Sequence, residues 1–470
     1  MASVPPVSMS DNSSVDVWEE ALLKEVVRTV NEIWVVAGRP KTVLMAVDGV
    51  VPSAKIRQQR VRRFKSAWLR SSGNSSWDSN SITPGTDFMK KLTRVLEGVV
   101  KEHGKGWTLS SVDEAGEGEH KIMRWLRATR AKAGNAAKTG NASKDESIVV
   151  YGLDADLILL SMLNGEIINK PLWLLRENQE FGGTEQEYTF MNIEDFKNRL
   201  SLSSYDDIIN YIGLMSLMGN DFLPHSLTHK LNDDGHECVV EEFTRMKRSS
   251  RWLIVDGSLQ KDVLLDLCKR WSVDEDRRME SMLRKKREQA GRGVGKGMDP
   301  SEGLPLEWNV EKFLVGDDMR LLKDWRGRYW SWIHPNADRD KICSEYLVGC
   351  QWILDYYLGK DVNMMWMFPS WIPPLWSDLA KYIESGEDCV KEYCLVDPIR
   401  PEEQLAMVLP LDSWGLVRDQ RLRRLPALAP QMWPAQFSFF SAGRKWLWEC
   451  EARVPVLTAE RLREILSRAE

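Results

Sequence analysis

Two carboxylates, Asp154 and Asp156, follow directly on a short β-branched, apolar run in the stretch SIVVYGLDADLILL, Ser147 to Leu160. Ile148 to Tyr151 reads as a strand buried on both faces, with a polar loop before it and a glycine after it. Acids at the carboxyl end of such a strand stand where open α/β sheets place their sites. If the chain stays extended both side chains point the same way, and the pair becomes a cation trap. Asp also favours helix N-caps, but one Asp would be enough for that.

The arrangement recurs along the chain. TVLMAVDGV ends an apolar run in Asp48, LSSVDEAGEGEHKIMRWL carries Glu117 and Glu119, and MSLMGNDFLPH carries Asp221 at a Gly-Asn-Asp turn. Six acids at element ends, gathered in one place, could not all remain ionised without cations. Oxygen ligands of this kind suit Mg²⁺ or Mn²⁺ rather than zinc.

A few residues after Asp48 comes KIRQQRVRRFKSAWLR, Lys55 to Arg70, with six basic residues and no acid between Lys55 and Lys65. On a helix Lys55, Gln59, Arg62 and Arg63 share one face. Arg offers phosphate a planar fork and Lys a point charge, so this face makes a phosphate clamp. A charge run alone would more often be a solvated surface. Its place beside a metal-binding acid favours the clamp, because a phosphodiester-cleaving site needs both.

The elements that would hold these groups alternate. An amphipathic helix is expected from Asp16 and a strand over Thr42 to Val47. A helix follows over Asp87 to His103, capped by Thr86 or Asp87, and Trp107 to Val112 is a weaker strand. Lys121 to Ala131 reads as helix and Ala131 to Glu146 as a flexible linker. A further strand is expected at Leu172 to Leu175 and a helix near Asp206 to Met218. Strands alternating with helices imply an α/β fold, with a parallel or mixed central sheet flanked by helices. Ser272 to Gly297 starts as a helix and dissolves into a Gly/Lys/Arg linker. Tyr346 to Tyr357 is a long apolar helix, and the chain ends in another.

Composition limits the alternatives. A net charge of −5 over 470 residues gives no global electrostatic case for nucleic acid, so any basic site must be local. Seven scattered Cys with no CxxC point to a reducing compartment and away from a zinc site. No apolar run approaches membrane-spanning length, and the start has neither a basic nor an apolar leader segment. The cytoplasm is the expected location. RKKR at Arg284 to Arg287 leaves the nucleus as the alternative.

Several blocks together resemble the XRN family of 5′→3′ exoribonucleases. They are MAVDGVVPSAKIRQQRVRRF, WDSNSITPGTDFM, GEGEHKIM, YGLDADLILL, LLRE and GNDFLPH, followed by EYLVGCQWILDYYLGKDVNMMWMFPSWIPPLWSDL, PEEQLAMVLP and MWPAQFSFFSAGRKWLWE. The resemblance implies a PIN/FEN-like nuclease core with a mostly helical second region packed on it. It implies a terminus at 1–15, a nuclease region at 16–232, a helical connector at 233–300 and the second region at 301–470.

It further implies that Asp48, Glu117, Glu119, Asp154, Asp156 and Asp221 bind two divalent ions, Mg²⁺ or Mn²⁺. These would activate water and stabilise the leaving oxygen. Lys55, Gln59, Arg62 and Arg63 would hold the 5′-monophosphate of an RNA, and Trp366 would stack on its first base. The expected reaction is processive release of 5′-mononucleotides from 5′-monophosphorylated RNA, as in mRNA decay.

The chain departs from the family pattern at its beginning. The strand that carries a further metal-binding Asp in a D-x-N-x-I-x-H context has no counterpart before the first helix. A protein partner supplying that strand, or a catalytically impaired RNA 5′-end binder, are the readings this departure adds. Oligomeric state is not legible.

Overall fold

The computed structural model describes residues 12–70, 77–136, 147–178, 188–290, 313–333, 338–386, 398–444 and 449–468. It is an α/β protein in its first half and almost wholly helical in its second. The expected terminus over 1–15 lies largely outside the described residues, but helix α1 (Asn12–Val36) begins earlier than expected.

Five strands carry the first half: β1 (Val43–Ala46), β2 (Trp107–Ser110), β3 (Ile148–Tyr151), β4 (Leu172–Glu177) and β5 (Tyr188–Asn192). They form two pieces. β1 pairs with β2 in parallel, Val43 opposite Trp107. β3 pairs with β4 in parallel, Ile148 opposite Leu172, and β4 pairs with β5 antiparallel. Among the described residues β1 and β3 do not pair with each other. In a parallel ladder the backbone groups of alternate residues point to opposite sides. Val43 and Val47 donate toward β2, so Leu44 and Ala46 face the other edge. Ile148 and Gly152 donate toward β4, so Val149 and Tyr151 face away. The expectation that β3 is buried on both faces fails here. Only Val150 is fully buried, because the strand has a neighbour on one side.

Helix α2 (Ser53–Arg70) follows β1, α3 (Asp87–His103) precedes β2, and α4 (Gly118–Ala136) follows it. Thr86 caps α3, its hydroxyl accepting from the Met89 N–H. α4 starts three residues before the expected helix and runs into the expected linker, whose remainder lies outside the described residues. After β3 come α5 (Asp156–Ile168), α6 (Ile193–Arg199) and α7 (Tyr205–Ser216).

The second half adds α8 (His236–Ser249), α9 (Lys261–Val273), α10 (Glu275–Ala290), α11 (Trp325–Ile333), α12 (Arg339–Leu358), α13 (Trp376–Glu384), α14 (Pro401–Val408) and α15 (Ala459–Ser467). The helix expected from Ser272 is two, α9 and α10, broken at Asp274. The linker expected after it lies outside the described residues. Among the described residues, no helix is long and apolar enough to cross a membrane.

α2 joins the halves. Ile56, Val61 and Phe64 are buried in one apolar cluster with Leu405, Met407, Val417 and Leu462. Burying side chains of this size is worth about 1.5–3 kcal/mol each. On the same side the buried Arg60 guanidinium donates to the Met407 carbonyl at 2.6 Å, the Pro455 carbonyl at 3.2 Å and the Met432 carbonyl. Arg57 donates to the carbonyls of Phe368 and Ser370. Part of the basic run is therefore a structural tie, not a solvated face.

Candidate active site

The acids are delivered by element ends. Asp48 lies two residues beyond β1 and accepts from the Gly118 N–H at 2.7 Å, tying it to the start of α4. Gly118 fits because a Cβ there would stand 3.2 Å from the Ala46 carbonyl oxygen and 3.3 Å from Asp48 Oδ1. Glu117 immediately precedes α4 and Glu119 sits in its first turn. Asp156 opens α5, with Asp154 exposed in the loop before it. Asp221 is held in the turn after α7, where Asn220 Oδ1 accepts from the N–H groups of Phe222 and Leu223.

These carboxylates feel one another. Burial pushes the Glu117 carboxyl well up, and Glu119, Asp48 and Asp156 push it further. Glu119 is pushed up to about 7, by burial first and by Asp48 next. Asp156 is raised by burial, with Asp221 and Asp154 adding to it. All six predicted acids are thus linked in one electrostatic group.

Lys55 stands inside that group. Its ammonium is 2.5 Å from Asp221 Oδ2 and 3.6 Å from Glu117 Oε2, with its side chain only 11% exposed. Those acids raise its pKa against a large burial penalty. Gln58, which the sequence did not single out, donates to Asp221 Oδ1 at 3.3 Å.

The rest of the predicted clamp divides. Gln59 is buried, with its side-chain oxygen unpaired. Arg62 is exposed on α2. Arg63 turns to Asn80 Oδ1 at 2.9 Å and the Ile82 carbonyl at 3.3 Å.

The floor is aromatic. His120 stacks on Tyr356 with ring centroids 3.8 Å apart, and burial holds its pKa down near 3, so it is neutral. Tyr357 lies where the charges of Asp156, Glu117 and Asp221 raise its phenol pKa, after the larger effect of burial. Both tyrosines come from α12, which helical periodicity placed but whose role at the site it did not reveal. Trp366 does not match its expected position over a base. It is 7% exposed, packs on Trp352 at 5.2 Å and donates to Glu345 Oε2 at 3.3 Å. Gly349 makes room for its ring, since a Cβ there would stand 2.7 Å from Trp366 Cη2. The ring is consumed by core packing. Trp376 is equally buried, and Trp371 stacks on Phe440 with Arg57 over its ring.

No three His, Cys, Asp or Glu residues among the described residues stand close enough to hold one metal ion as placed. The donor chemistry still fits a hard divalent cation. Both Glu117 oxygens are buried without a hydrogen-bond partner, amid other carboxylates, and such a group is costly unless protonated or ligated.

Residues 6–178 match the family model described as XRN 5′-3′ exonuclease N-terminus, and residues 310–470 match the one described as Xrn1 helical domain. The chain is 26% identical to human 5′-3′ exoribonuclease 1 over 518 residues, covering 91% of this chain and 29% of the human protein. It is 24% identical to 5′-3′ exoribonuclease 2 of Arabidopsis thaliana, over 94% of this chain and 59% of that one. For 5′-3′ exoribonuclease 2 of Yarrowia lipolytica the identity is 28%, over 58% of this chain and 33% of the relative. The chain therefore spans about a third of the human and Yarrowia proteins. The two matched stretches, in order, take in most of the sequence, and the chain belongs to the XRN family.

Proposed function

We propose that this chain hydrolyses 5′-monophosphorylated RNA from its 5′ end in cytoplasmic RNA turnover, releasing 5′-mononucleotides processively. The observation that carries the reading is the six-carboxylate group lying against the basic face of α2, through Lys55. Asp48, Glu117, Glu119, Asp154, Asp156 and Asp221 would hold two Mg²⁺ or Mn²⁺ ions, which when bound polarise the scissile phosphate and offset developing charge. Lys55, Gln59, Arg62 and Arg63 bind and orient the terminal phosphate.

Water adds to the phosphorus of the second nucleotide, the bond from that phosphorus to the first nucleotide's O3′ breaks, and O3′ leaves with a proton. The shortened RNA carries a new 5′-monophosphate. The same clamp can grip it again, which is the physical basis for processivity.

Among the described residues, the edges of β1 and β3 that face away from β2 and β4 have no paired strand, which favours a second reading. Both strands end at the acid group, yet Leu44, Ala46, Val149 and Tyr151 turn their backbone groups away from their paired strands. An extended segment from a protein partner, pairing between them, would complete the sheet. Without it the chain would bind RNA 5′ ends and cut poorly.

The test is incubation with Mg²⁺ and RNAs bearing 5′-phosphate, 5′-hydroxyl or 5′-triphosphate ends. Mononucleotide release from the monophosphate form alone supports the nuclease. Selective binding without release supports the 5′-end binder. Equal handling of all three ends overturns both.

A second expectation concerns pH. Glu117 and Glu119 have raised pKa values in the folded state, so that state keeps protons the unfolded chain loses above about pH 4.5. Their contribution to stability is present at low pH and is lost as pH rises through the folded-state pKa values, about 7 for Glu119. A divalent cation binds the deprotonated forms. The rise in melting temperature on adding Mg²⁺ should therefore be larger at about pH 8 than at about pH 5.5. Scanning fluorimetry checks this, and an increment that is flat or shrinks with pH would remove the acid group as the cation site.

A further inference from the structure

A second source of positive charge reaches α2 from far along the chain. The short antiparallel pair of β6 (Phe439–Phe440) and β7 (Glu451–Ala452) packs on α2, and the turn leaving β6 carries Arg444. The Arg444 N–H closes that turn on the Ser441 carbonyl at 3.0 Å, and Gly443 takes a positive φ of 63° inside it.

Arg444's side chain is only 13% exposed, and its Nε is buried without a hydrogen-bond partner. Its ion-pair partner among the described residues is Glu451, loosely at 3.6 Å and itself 37% exposed. That leaves the Nε donor of the guanidinium fork unsatisfied.

Two lysines and a histidine also lie in its surroundings. Lys65 reaches the Cys450 carbonyl at 2.9 Å, and Lys230 donates to the Gly443 carbonyl. His225 stands at the end of the Asp221 turn, fixed by its Nδ1 donating to the Met218 carbonyl at 3.1 Å. Arg62 and Arg444 both lower the Lys65 pKa, and Arg444 lowers that of His225, in each case after burial. Arg444, Lys65 and Lys230 gathered near one acid favour an anion.

We propose that Arg444 is a further anion-binding residue, which reaches in from the second half of the chain and grips the 5′-terminal phosphate together with Arg62. The assignment rests on the nuclease reading above and extends it. Lys55, at the acids, and Lys65, beside Arg444, are ten positions apart on α2, about 15 Å along its axis. The terminal phosphate lies one nucleotide from the scissile bond, so an RNA cut at the acids sets it within that span, between Lys55 and the end of α2 where the charges of Arg62 and Arg444 reach Lys65. A guanidinium there closes the pocket at the phosphate and is met by the terminus, not by the body of the strand.

The test measures the affinity of fluorescent RNA decamers with 5′-phosphate or 5′-hydroxyl ends, in EDTA so that nothing is cleaved. Arg444→Gln should weaken binding of the phosphorylated RNA about tenfold and leave the hydroxyl form within about twofold. Arg444→Lys should recover part of the loss, and Glu451→Gln should leave binding unchanged. Equal weakening for both ends, or a loss in Glu451→Gln matching that in Arg444→Gln, would make the residue structural and overturn the assignment. Arg62→Ala separates the two levels. If it too leaves end preference intact, the clamp reading fails; if it erases preference while Arg444→Gln does not, only Arg444 is wrongly assigned.

Discussion

Glu117→Gln should lower hydrolysis of 5′-phosphorylated RNA by about a thousandfold while leaving RNA affinity within about threefold, and it should raise the melting temperature in EDTA. The same observation drives both halves of that expectation. Glu117 is 1% exposed, its two oxygens have no hydrogen-bond donor, and the ammonium of Lys55 is 3.6 Å away. Burial and three neighbouring carboxylates make its charged form unfavourable in the folded state. An amide of the same shape removes that penalty but cannot act as a charged ligand. Stability and turnover therefore move in opposite directions, as expected of a group retained for chemistry and not for packing. Steady-state kinetics with thermal melts in EDTA and in Mg²⁺ checks it. The variant should also lose most of the Mg²⁺-dependent rise in melting temperature. A variant that kept normal turnover, or that lost stability in EDTA, would exclude Glu117 from the centre.

What the sequence revealed and what it hid divide along a physical line. Local signals held well. Ile148–Tyr151 forms a strand with the expected bounds, and Asp87–His103 forms a helix behind the Thr86 cap, because both depend on neighbours within a turn or two. Four-residue strands such as β1 and β2 were recognisable because each ends in a turn rich in Gly and acids. β5 was missed, since its hairpin with β4 is a tertiary choice and its residues alternate weakly.

Site chemistry was legible as residue type and spacing, but burial was not. Nothing local distinguishes Arg57 and Arg60, which grip carbonyls of the second half, from Arg62, which stays exposed. They interleave on one helix, and only the packing of α14 and the chain near Pro455 against α2 decides which face is inside. Trp366 shows the converse error. The family resemblance put its ring on the first base, and the small Gly349 across from it lets the ring sink into the core instead. Arg444 and His225 could not have been related by spacing, since they lie far apart in the chain and only the fold lets the charge of one reach the other.

Arg62→Ala should erase the preference for a 5′-phosphate over a 5′-hydroxyl end, a loss of about 1.5–3 kcal/mol or roughly ten- to a hundredfold in affinity for the phosphorylated RNA. Of the four clamp residues it is the one whose removal the fold should tolerate. Lys55 is engaged by Asp221 and Glu117, Gln59 is buried, and Arg63 is bonded to Asn80 and Ile82. Truncating any of those disturbs packing or the acid group along with phosphate binding, so a loss of activity there is ambiguous. Arg62 is exposed on α2, and its side chain makes no ion pair among the described residues. Its charge is nevertheless felt at Lys65, which puts it beside the cations that line the same end of the cleft. The discriminating readout is the ratio of affinities for the two RNA ends, measured with melting temperature held as a control. Arg62→Lys should restore charge but not the fork, and so recover only part of the preference. Arg63→Ala should instead lower the melting temperature by releasing the loop that carries Asn80. If Arg62→Ala bound both ends as the native chain does, α2 would be a structural tie between the two halves of the molecule. The recognition of a 5′-phosphate would then have to be sought away from this helix.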